Sequence, residues 1–215
     1  MKTYKIHLIR HGLTQENLHG QYIGHKDVPL CEKGIADLQK VKEDYRYPDV
    51  PVVFTSPLKR CLQTCEILYP DVRPMVLDGL IEYNFGTFEG QTAADLQEDE
   101  DFLQWIGGGL DAEPPFGESG REFGERIGQT FEKIVDSLLQ TGIPEAAIIT
   151  HGGVLNALMA MYALPQAPMT DWMCDEGFGY TGLITPSLWS QGRKFEASAQ
   201  CPVEIKSFDP LGDTY

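Results

Sequence analysis

Two histidines each follow a run of apolar residues, in a pattern that suits phosphate chemistry. His11 comes directly after Arg10 and the mostly apolar end of the segment 3–9, and His151 comes directly before Gly152 after a second apolar run. An imidazole at the end of a buried strand is a candidate nucleophile, and the neighbouring guanidinium matches the oxygens of a phosphate group. The amide of Gly152 opens a predicted helix, so the helix dipole helps it to face an anion.

A second arginine and an acid follow two further predicted strands. Arg60 lies in the first turn of a helix predicted to begin at Ser56, after the apolar strand 52–55. Glu82 lies in the loop after the predicted strand 74–77 and is a candidate general acid. Taken alone, each has an ordinary interpretation as a solvated surface residue. Together with the histidines they fall at the carboxyl ends of different parallel strands, where open α/β sheets bind ligands.

The elements that must position these residues alternate between strand and helix. Residue periodicity predicts strands at 3–9, 52–55, 74–77, 146–150, 180–185, 194–199 and 203–208. It predicts helices at 32–45, 56–69, 93–98, 121–139 and 154–164. A Gln191-Gly192 turn is expected between the strands 180–185 and 194–199. The alternation predicts an α/β fold with three layers, in which helices cover both faces of a mostly parallel central sheet.

The chain length of 215 residues fits one domain that spans residues 1–215. Its least regular part is about 91–120, which contains three consecutive glycines and a Pro-Pro pair and is predicted to be a lid-like insertion. Four large apolar residues in and after this segment either line the approach to the site or pack beneath the lid: Phe102, Trp105, Phe116 and Met169.

Charge and cysteine content exclude several classes of partner. With 17 Lys+Arg against 32 Asp+Glu, the formal net charge is −15, which disfavours nucleic acid and anionic membranes. A phosphate site must therefore be a local basic pocket. No metal site or cofactor is expected, because neither the histidines nor the cysteines show metal-ligand spacing. Reduced thiols and the lack of a signal peptide predict a cytoplasmic protein, and the oligomeric state is left open. The cysteines are Cys31, Cys61, Cys65, Cys174 and Cys201.

Four sequence segments, in the same order, resemble the histidine phosphatase superfamily, in the branch that includes cofactor-dependent phosphoglycerate mutases. The resemblance implies a phosphoglycerate mutase-like fold and a two-step phosphoryl transfer through a phosphohistidine. Some positions depart from the family pattern, such as Cys31 in place of a helix-capping Thr and Phe88 in place of Trp, but no catalytic position does. The matching segments are Leu8–Asn17, Ser56–Thr64, Leu80–Gly90 and Thr150–Gly153.

The resemblance also implies a role for each site residue. His11 attacks phosphorus in its neutral form, which positive neighbours favour, and Glu82 protonates the leaving group and then accepts a proton from water. The remaining residues hold the phosphate oxygens as charge spreads over them. The predicted catalytic residues are His11, Glu82, His151, Arg10 and Arg60. The predicted substrate-binding residues are Arg10, Asn17, Arg60, His151 and Gly152.

The acceptor of the phosphoryl group separates a phosphatase from a mutase. Mutases of the family carry extra basic residues after the acid loop, whereas residues 83–120 contain no Lys or Arg. This favours hydrolysis of a small phosphorylated metabolite, and the acid loop resembles the α-ribazole phosphatase and broad-specificity phosphatase subgroup. Mutase-type transfer and a non-catalytic module that binds phosphorylated ligands are the alternatives. The sequence does not identify the phosphate ester.

Overall fold

A computed structural model describes residues 2–205 of the chain. Its strands are β1 (Tyr4–Arg10), β2 (Tyr45–Arg46), β3 (Val53–Thr55), β4 (Met75–Val76), β5 (Glu145–Thr150), β6 (Ala163–Leu164), β7 (Gly179–Ile184), β8 (Phe195–Cys201) and β9 (Val203–Glu204). Its α-helices are α1 (Gln15–Leu18), α2 (Glu32–Asp44), α3 (Lys59–Leu68), α4 (Glu100–Gly107), α5 (Gly120–Thr141), α6 (Gly152–Tyr162) and α7 (Pro186–Gly192).

Seven of these strands form one central sheet in the order β4-β3-β5-β1-β7-β8-β6. The first four in this order are mutually parallel, β7 is antiparallel to both of its neighbours, and β6 is parallel to β8. The prediction of a mostly parallel α/β sheet is therefore confirmed. The parallel half contains the strands that precede all of the candidate catalytic residues.

Each face of the sheet packs against its own helices. On β5, Ala146 and Ile148 face a core shared with α5 and α6, whereas Ala147 and Ile149 face a core shared with α2 and α3. Successive side chains of a strand point to opposite faces, so a strand covered on both faces is apolar throughout. This burial explains the continuous apolar runs before the two histidines.

The helix starts depend on side-chain caps. At α2, Cys31 Sγ accepts a hydrogen bond from the amide of Gly34, so the thiol takes the capping role expected of Thr. At α5, Ser119 and Glu122 form a reciprocal capping box. The helices predicted at 32–45 and 121–139 are confirmed as α2 and α5, whose ends differ from the predicted ends by no more than two residues.

One predicted helix boundary and one whole predicted helix are wrong. The helix after β3 begins at Lys59 rather than at Ser56, because the Ser56 hydroxyl is buried against His151 instead of capping the helix. The predicted helix at 93–98 is a series of turns, although Thr92 and Asp95 bond to each other's backbone and side chains as in a helix cap. The helix of this region is α4.

The C-terminal part also differs from the prediction. Helix α7 joins β7 to β8 in place of a Gln191-Gly192 turn, since Thr185 caps the helix and Pro186 occupies its first turn. The strand predicted at 203–208 is the short β9, which pairs with β2 outside the central sheet, and residues 206–208 lie outside the described residues. Within residues 2–205, no helix is long and apolar enough to cross a membrane.

Candidate active site

The two histidines lie side by side because their strands are neighbours. In the parallel pair β1 and β5, Arg10 aligns with Thr150, and the amide of His11 donates to the Thr150 carbonyl at 2.8 Å. Each histidine is the first residue after its strand, so the centroids of the two imidazole rings are 5.2 Å apart. Both side chains are buried, with 5% exposed for His11 and 1% for His151.

The surroundings of His11 leave one ring nitrogen free to react. Its Nδ1 lies 2.7 Å from the Gly12 carbonyl, which can only accept, so Nδ1 carries the proton and Nε2 keeps a lone pair. Burial lowers the pKa of His11 well below its usual value, and the charges of Arg60 and Arg10 lower it further against the raising effect of the Gly12 carbonyl. His11 is thus neutral at physiological pH, as the sequence predicts.

Arg60 is fully buried and held by three acceptors. Its Nη1 donates to the Lys26 carbonyl at 2.9 Å, and its Nη2 donates to the Gly24 carbonyl at 2.7 Å. Its Nε donates to Nδ1 of His151 at 3.1 Å. That acceptor role places the His151 proton on Nε2, which donates to Ser56 Oγ at 2.8 Å. Burial, Arg60 and His11 together lower the pKa of His151 well below its usual value.

Arg10 is oriented by a segment far along the chain. Its Nη1 donates to the Cys174 carbonyl at 2.7 Å, and its Nη2 lies 2.7 Å from a Glu176 carboxylate oxygen. Its Nε is buried and has no hydrogen-bond partner among residues 2–205. This Nε lies beside Gly152, where a Cβ atom would come within 3.3 Å of it. An unpaired donor next to the start of α6 is suited to a phosphate oxygen.

Glu82 is a buried carboxyl group, 7% exposed, at the same edge of the sheet. One oxygen accepts from the amide of Gly153 at 2.8 Å, and the other accepts from the amide of Tyr83 at 2.9 Å. Burial raises the pKa of Glu82, while these two amides and the charge of Arg60 oppose the rise. A carboxyl with a raised pKa retains its proton closer to neutral pH, as a general acid must.

The loop that carries Glu82 is held by Arg126, which the sequence analysis did not identify. Its guanidinium donates to the carbonyls of Gly79 (3.3 Å), Ile81 (2.8 Å) and Glu82 (3.2 Å), and it pairs with Glu118 at 2.6 Å. Because Arg126 lies on α5, this network ties the position of the acid to the longest helix.

The two remaining predicted site residues are Asn17 and Gly152. The carboxamide oxygen of Asn17 accepts from the amide (3.1 Å) and the hydroxyl (3.0 Å) of Thr14, so only its Nδ2 group can donate to a phosphate. Gly152 is the first residue of α6, where backbone amides lack partners within the helix. Their contacts with a phosphate stay predictions.

The structure separates the four apolar residues that were expected near the site. Trp105 and Met169 line a cavity of about 980 Å³ that also touches Glu82 and Gly153. Phe102 instead packs in a small core with Phe88, and Phe116 is 92% exposed. Within residues 2–205, no group of three or more His, Cys, Asp or Glu side chains is arranged to hold a metal ion.

Comparison with known proteins places the chain in a family. The chain belongs to the histidine phosphatase superfamily (branch 1), whose sequence profile matches residues 6–184. It is 29% identical over 178 residues to the adenosylcobalamin/alpha-ribazole phosphatase of Salmonella typhimurium, covering 80% of this chain and 87% of that protein. It is 32% identical over 162 residues to the 2,3-bisphosphoglycerate-dependent phosphoglycerate mutase 2 of Gloeobacter violaceus, covering 71% and 72%.

A solved structure agrees with this assignment. The alpha-ribazole phosphatase from Shigella flexneri superimposes with a TM-score of 0.77 at 25% identity, covering 94% of this chain and 96% of that one. The resemblance to the superfamily, the mutase-like α/β fold and the phosphatase class of the enzyme are therefore confirmed. The relatives include both phosphatases and mutases, and their names carry different substrates.

Proposed function

We propose that the protein hydrolyses a small phosphate monoester through a phosphohistidine on Nε2 of His11. The observation that carries the proposal is the state of this imidazole. It is buried beside two arginines, its Nδ1 is occupied by the Gly12 carbonyl, and its Nε2 is left as a neutral nucleophile. A small phosphorylated metabolite is the corresponding partner.

The first step transfers the phosphoryl group to the enzyme. The Nε2 lone pair of His11 forms the N–P bond while the ester O–P bond breaks, and its electron pair leaves with the alkoxide. Glu82 gives its proton to that oxygen. The Nε of Arg10 and the guanidinium of Arg60 stabilise the charge on the other phosphoryl oxygens.

The second step regenerates the enzyme. The Glu82 carboxylate takes a proton from a water molecule, whose oxygen attacks phosphorus as the N–P bond breaks, and the electron pair returns to His11. A raised pKa makes the same carboxyl effective as acid in the first step and as base in the second. His151 holds Arg60 through Nδ1, and a phosphate oxygen would compete with Ser56 for its Nε2 proton.

The charges beside Glu82 favour water over a second phosphorylated molecule as the acceptor. The cavity that begins at Glu82 also carries the carboxylates of Glu125 and Glu132. The lining guanidinium of Arg121 is already paired with Asp111 at 2.6 Å. A mutase must hold a second anionic group here, and these carboxylates repel it.

The proposal is tested by the release of inorganic phosphate from ethyl phosphate and by trapping of the phosphoenzyme. We expect His11→Ala to lower turnover by at least about 10⁴-fold and to abolish the gain of one phosphoryl group in the protein mass. The exposed His19 provides the matched control, and His19→Ala should keep both signals. An active, phosphorylated His11→Ala variant would contradict the proposal.

A mutase is the second candidate, because the relative from Gloeobacter violaceus is a phosphoglycerate mutase. It is tested with 3-phosphoglycerate in the presence of 2,3-bisphosphoglycerate. If 2-phosphoglycerate forms faster than inorganic phosphate is released, the protein is a mutase and the proposal of hydrolysis is wrong.

A further inference from the structure

The cavity beside Glu82 is large, and most of its lining comes from residues outside the phosphate site. Its volume is about 980 Å³, at the upper end of what binds drug-sized molecules. It begins at Glu82 and Gly153 and continues between α4, α5 and α6. Aromatic side chains form the wall nearest the acid: Tyr83, Phe85, Trp105 and Phe123.

Several large apolar side chains at this cavity are unusually exposed. Their exposed fractions are 58% for Ile106, 66% for Leu110, 38% for Met161 and 45% for Met169. Scattered exposed apolar residues are ordinary on a protein surface. Four around a single concavity form a patch of the kind that marks a binding site.

The floor of the cavity is formed by glycines at every fourth position of α5. Gly120, Gly124 and Gly128 all line it, although glycine inside a helix is less stable than alanine. A Cβ atom at Gly128 would lie 2.8 Å from the Tyr162 hydroxyl, so packing accounts for that glycine. A Cβ atom at Gly124 would meet nothing within 4 Å. Gly124 therefore keeps space open in the cavity rather than accommodating a neighbour.

The charged groups of the cavity favour a neutral or cationic occupant. Its carboxylates are those of Glu82, Glu125 and Glu132, and the Tyr162 hydroxyl donates to Glu132 at 3.0 Å. The guanidinium that lines it, on Arg121, is neutralised by Asp111. A negatively charged group placed here would be repelled by the carboxylates of Glu125 and Glu132.

We infer that this cavity binds the alcohol portion of the substrate, and that this alcohol carries a bulky apolar ring without negative charge. The inference rests on the proposed function, because Glu82 must lie next to the leaving oxygen in order to protonate it. Glu82 lines the cavity, so an alcohol that takes its proton lies at the edge of this space. Its walls are apolar and aromatic, which suits a ring system rather than a small polar alcohol.

Three alkyl esters with similar leaving oxygens test the inference: 2-(2-naphthyl)ethyl phosphate, ethyl phosphate and 3-phosphoglycerate. We expect kcat/KM for the naphthyl ester to exceed that for ethyl phosphate by on the order of 100-fold, because the ring is buried in the cavity. The carboxylate of 3-phosphoglycerate should make it the poorest of the three.

The variant Gly124→Leu fills the cavity with a side chain that the helix accepts. It should lower kcat/KM for the naphthyl ester by at least about tenfold and leave ethyl phosphate within about twofold. Gly107→Leu is the matched control, since Gly107 also has open space around it, lies on α4 and does not line the cavity. Binding of 2-(2-naphthyl)ethanol, followed by isothermal titration calorimetry, measures the same site without turnover.

The outcomes separate the inference from the proposed function. Hydrolysis of ethyl phosphate through His11 without a naphthyl preference would overturn the inference and leave the phosphatase intact. Equal losses on both esters in a folded Gly124→Leu protein, or unchanged binding of the naphthyl alcohol, would overturn it as well. Failure to hydrolyse any of the esters would overturn the proposed function, and the inference with it.

Discussion

The two sides that we propose for the site, a phosphate side and a leaving-group side, are built in opposite ways. On the phosphate side, His11, Arg60 and His151 are almost fully buried and joined by direct hydrogen bonds or ring contacts. On the leaving-group side, side chains such as Ile106 and Leu110 are more than half exposed around a large cavity. Buried groups that bond to one another hold a single geometry. The side chains that line a loosely covered cavity can change without disturbing that geometry.

The two sides also differ in charge. The charged groups of the phosphate side are guanidinium groups, whereas most of the charged groups that line the cavity are carboxylates. Glu82 is the boundary, because one of its oxygens accepts from Gly153 at the start of α6 while the residue also lines the cavity. Under the proposed function, the strand ends determine the reaction, and α4, α5 and the following loops determine which ester is accepted.

The largest expected effect comes from the phosphate side. Arg60→Lys retains a charge but cannot reproduce three directed hydrogen bonds, so kcat/KM should fall on the order of 10³-fold for every ester. Arg73→Lys, at an exposed arginine, is the control and should be neutral. Steady-state kinetics on alkyl and aryl esters measure the effect. A loss that depended strongly on the leaving group would contradict the assignment of Arg60 to the phosphate side.

Glu82→Gln tests the boundary between the two sides. The amide cannot supply a proton, so kcat/KM should fall on the order of 10²-fold for ethyl phosphate and only a few-fold for 4-nitrophenyl phosphate, whose leaving group needs no acid. Glu98→Gln, at an exposed acid, controls for the change of charge. If both esters lost activity equally, Glu82 would not be the proton donor.

Gly153→Ala is a smaller change, because it displaces the Glu82 carboxyl without removing it. A Cβ atom there would lie 2.4 Å from Glu82 Oε1, so the carboxyl must move away from its present position. We expect about a tenfold loss on ethyl phosphate with less effect on 4-nitrophenyl phosphate. Gly124→Ala, in open space on α5, should leave both activities unchanged. The idea fails if Gly153→Ala retains full activity on ethyl phosphate.

The smallest expected effect is that His11 and His151 do not titrate near neutral pH. The lowered pKa values of His11 and His151 mean that each binds its proton only below the usual value of 6.5. Both imidazoles should therefore stay neutral in nuclear magnetic resonance spectra as the pH falls from about 8 to about 6. Signals are assigned through the His11→Ala variant. A midpoint at or above 6.5 for His11 would contradict its placement between two guanidinium groups.

The same shifts predict how stability depends on pH. Below 6.5 the unfolded chain binds protons on these histidines that the folded protein does not bind. The free energy of unfolding therefore decreases as the pH falls through this range.

The phosphate side was largely predictable from the sequence, because its residues directly follow apolar strands or begin helices. Strand order and register then bring His11 and His151 together without further information. The supporting contacts were not predictable. Arg126 reaches the Glu82 carbonyl across 44 residues of sequence, and Arg10 reaches the Cys174 carbonyl across 164. No local pattern encodes such pairs, since each depends on how distant segments pack.

The errors in the predicted elements have a similar origin. Ser56 followed by proline is a strong helix start, yet its hydroxyl is used by His151 from a distant strand. On the leaving-group side, composition alone could not decide whether Trp105 lines a cavity or only packs, and it does both. The lid-like role of 91–120 and the single domain over 1–215 stay predictions.

The pairing of β1 with β5 has a consequence for folding. The two strands are neighbours in the sheet although more than half of the chain separates them. Contacts between such distant segments form slowly, because the intervening chain must first be closed into a loop. A nascent chain that ends before β5 contains His11 but not its partner. During refolding, we expect activity to recover only when these two strands join, after the helices have reached their native content.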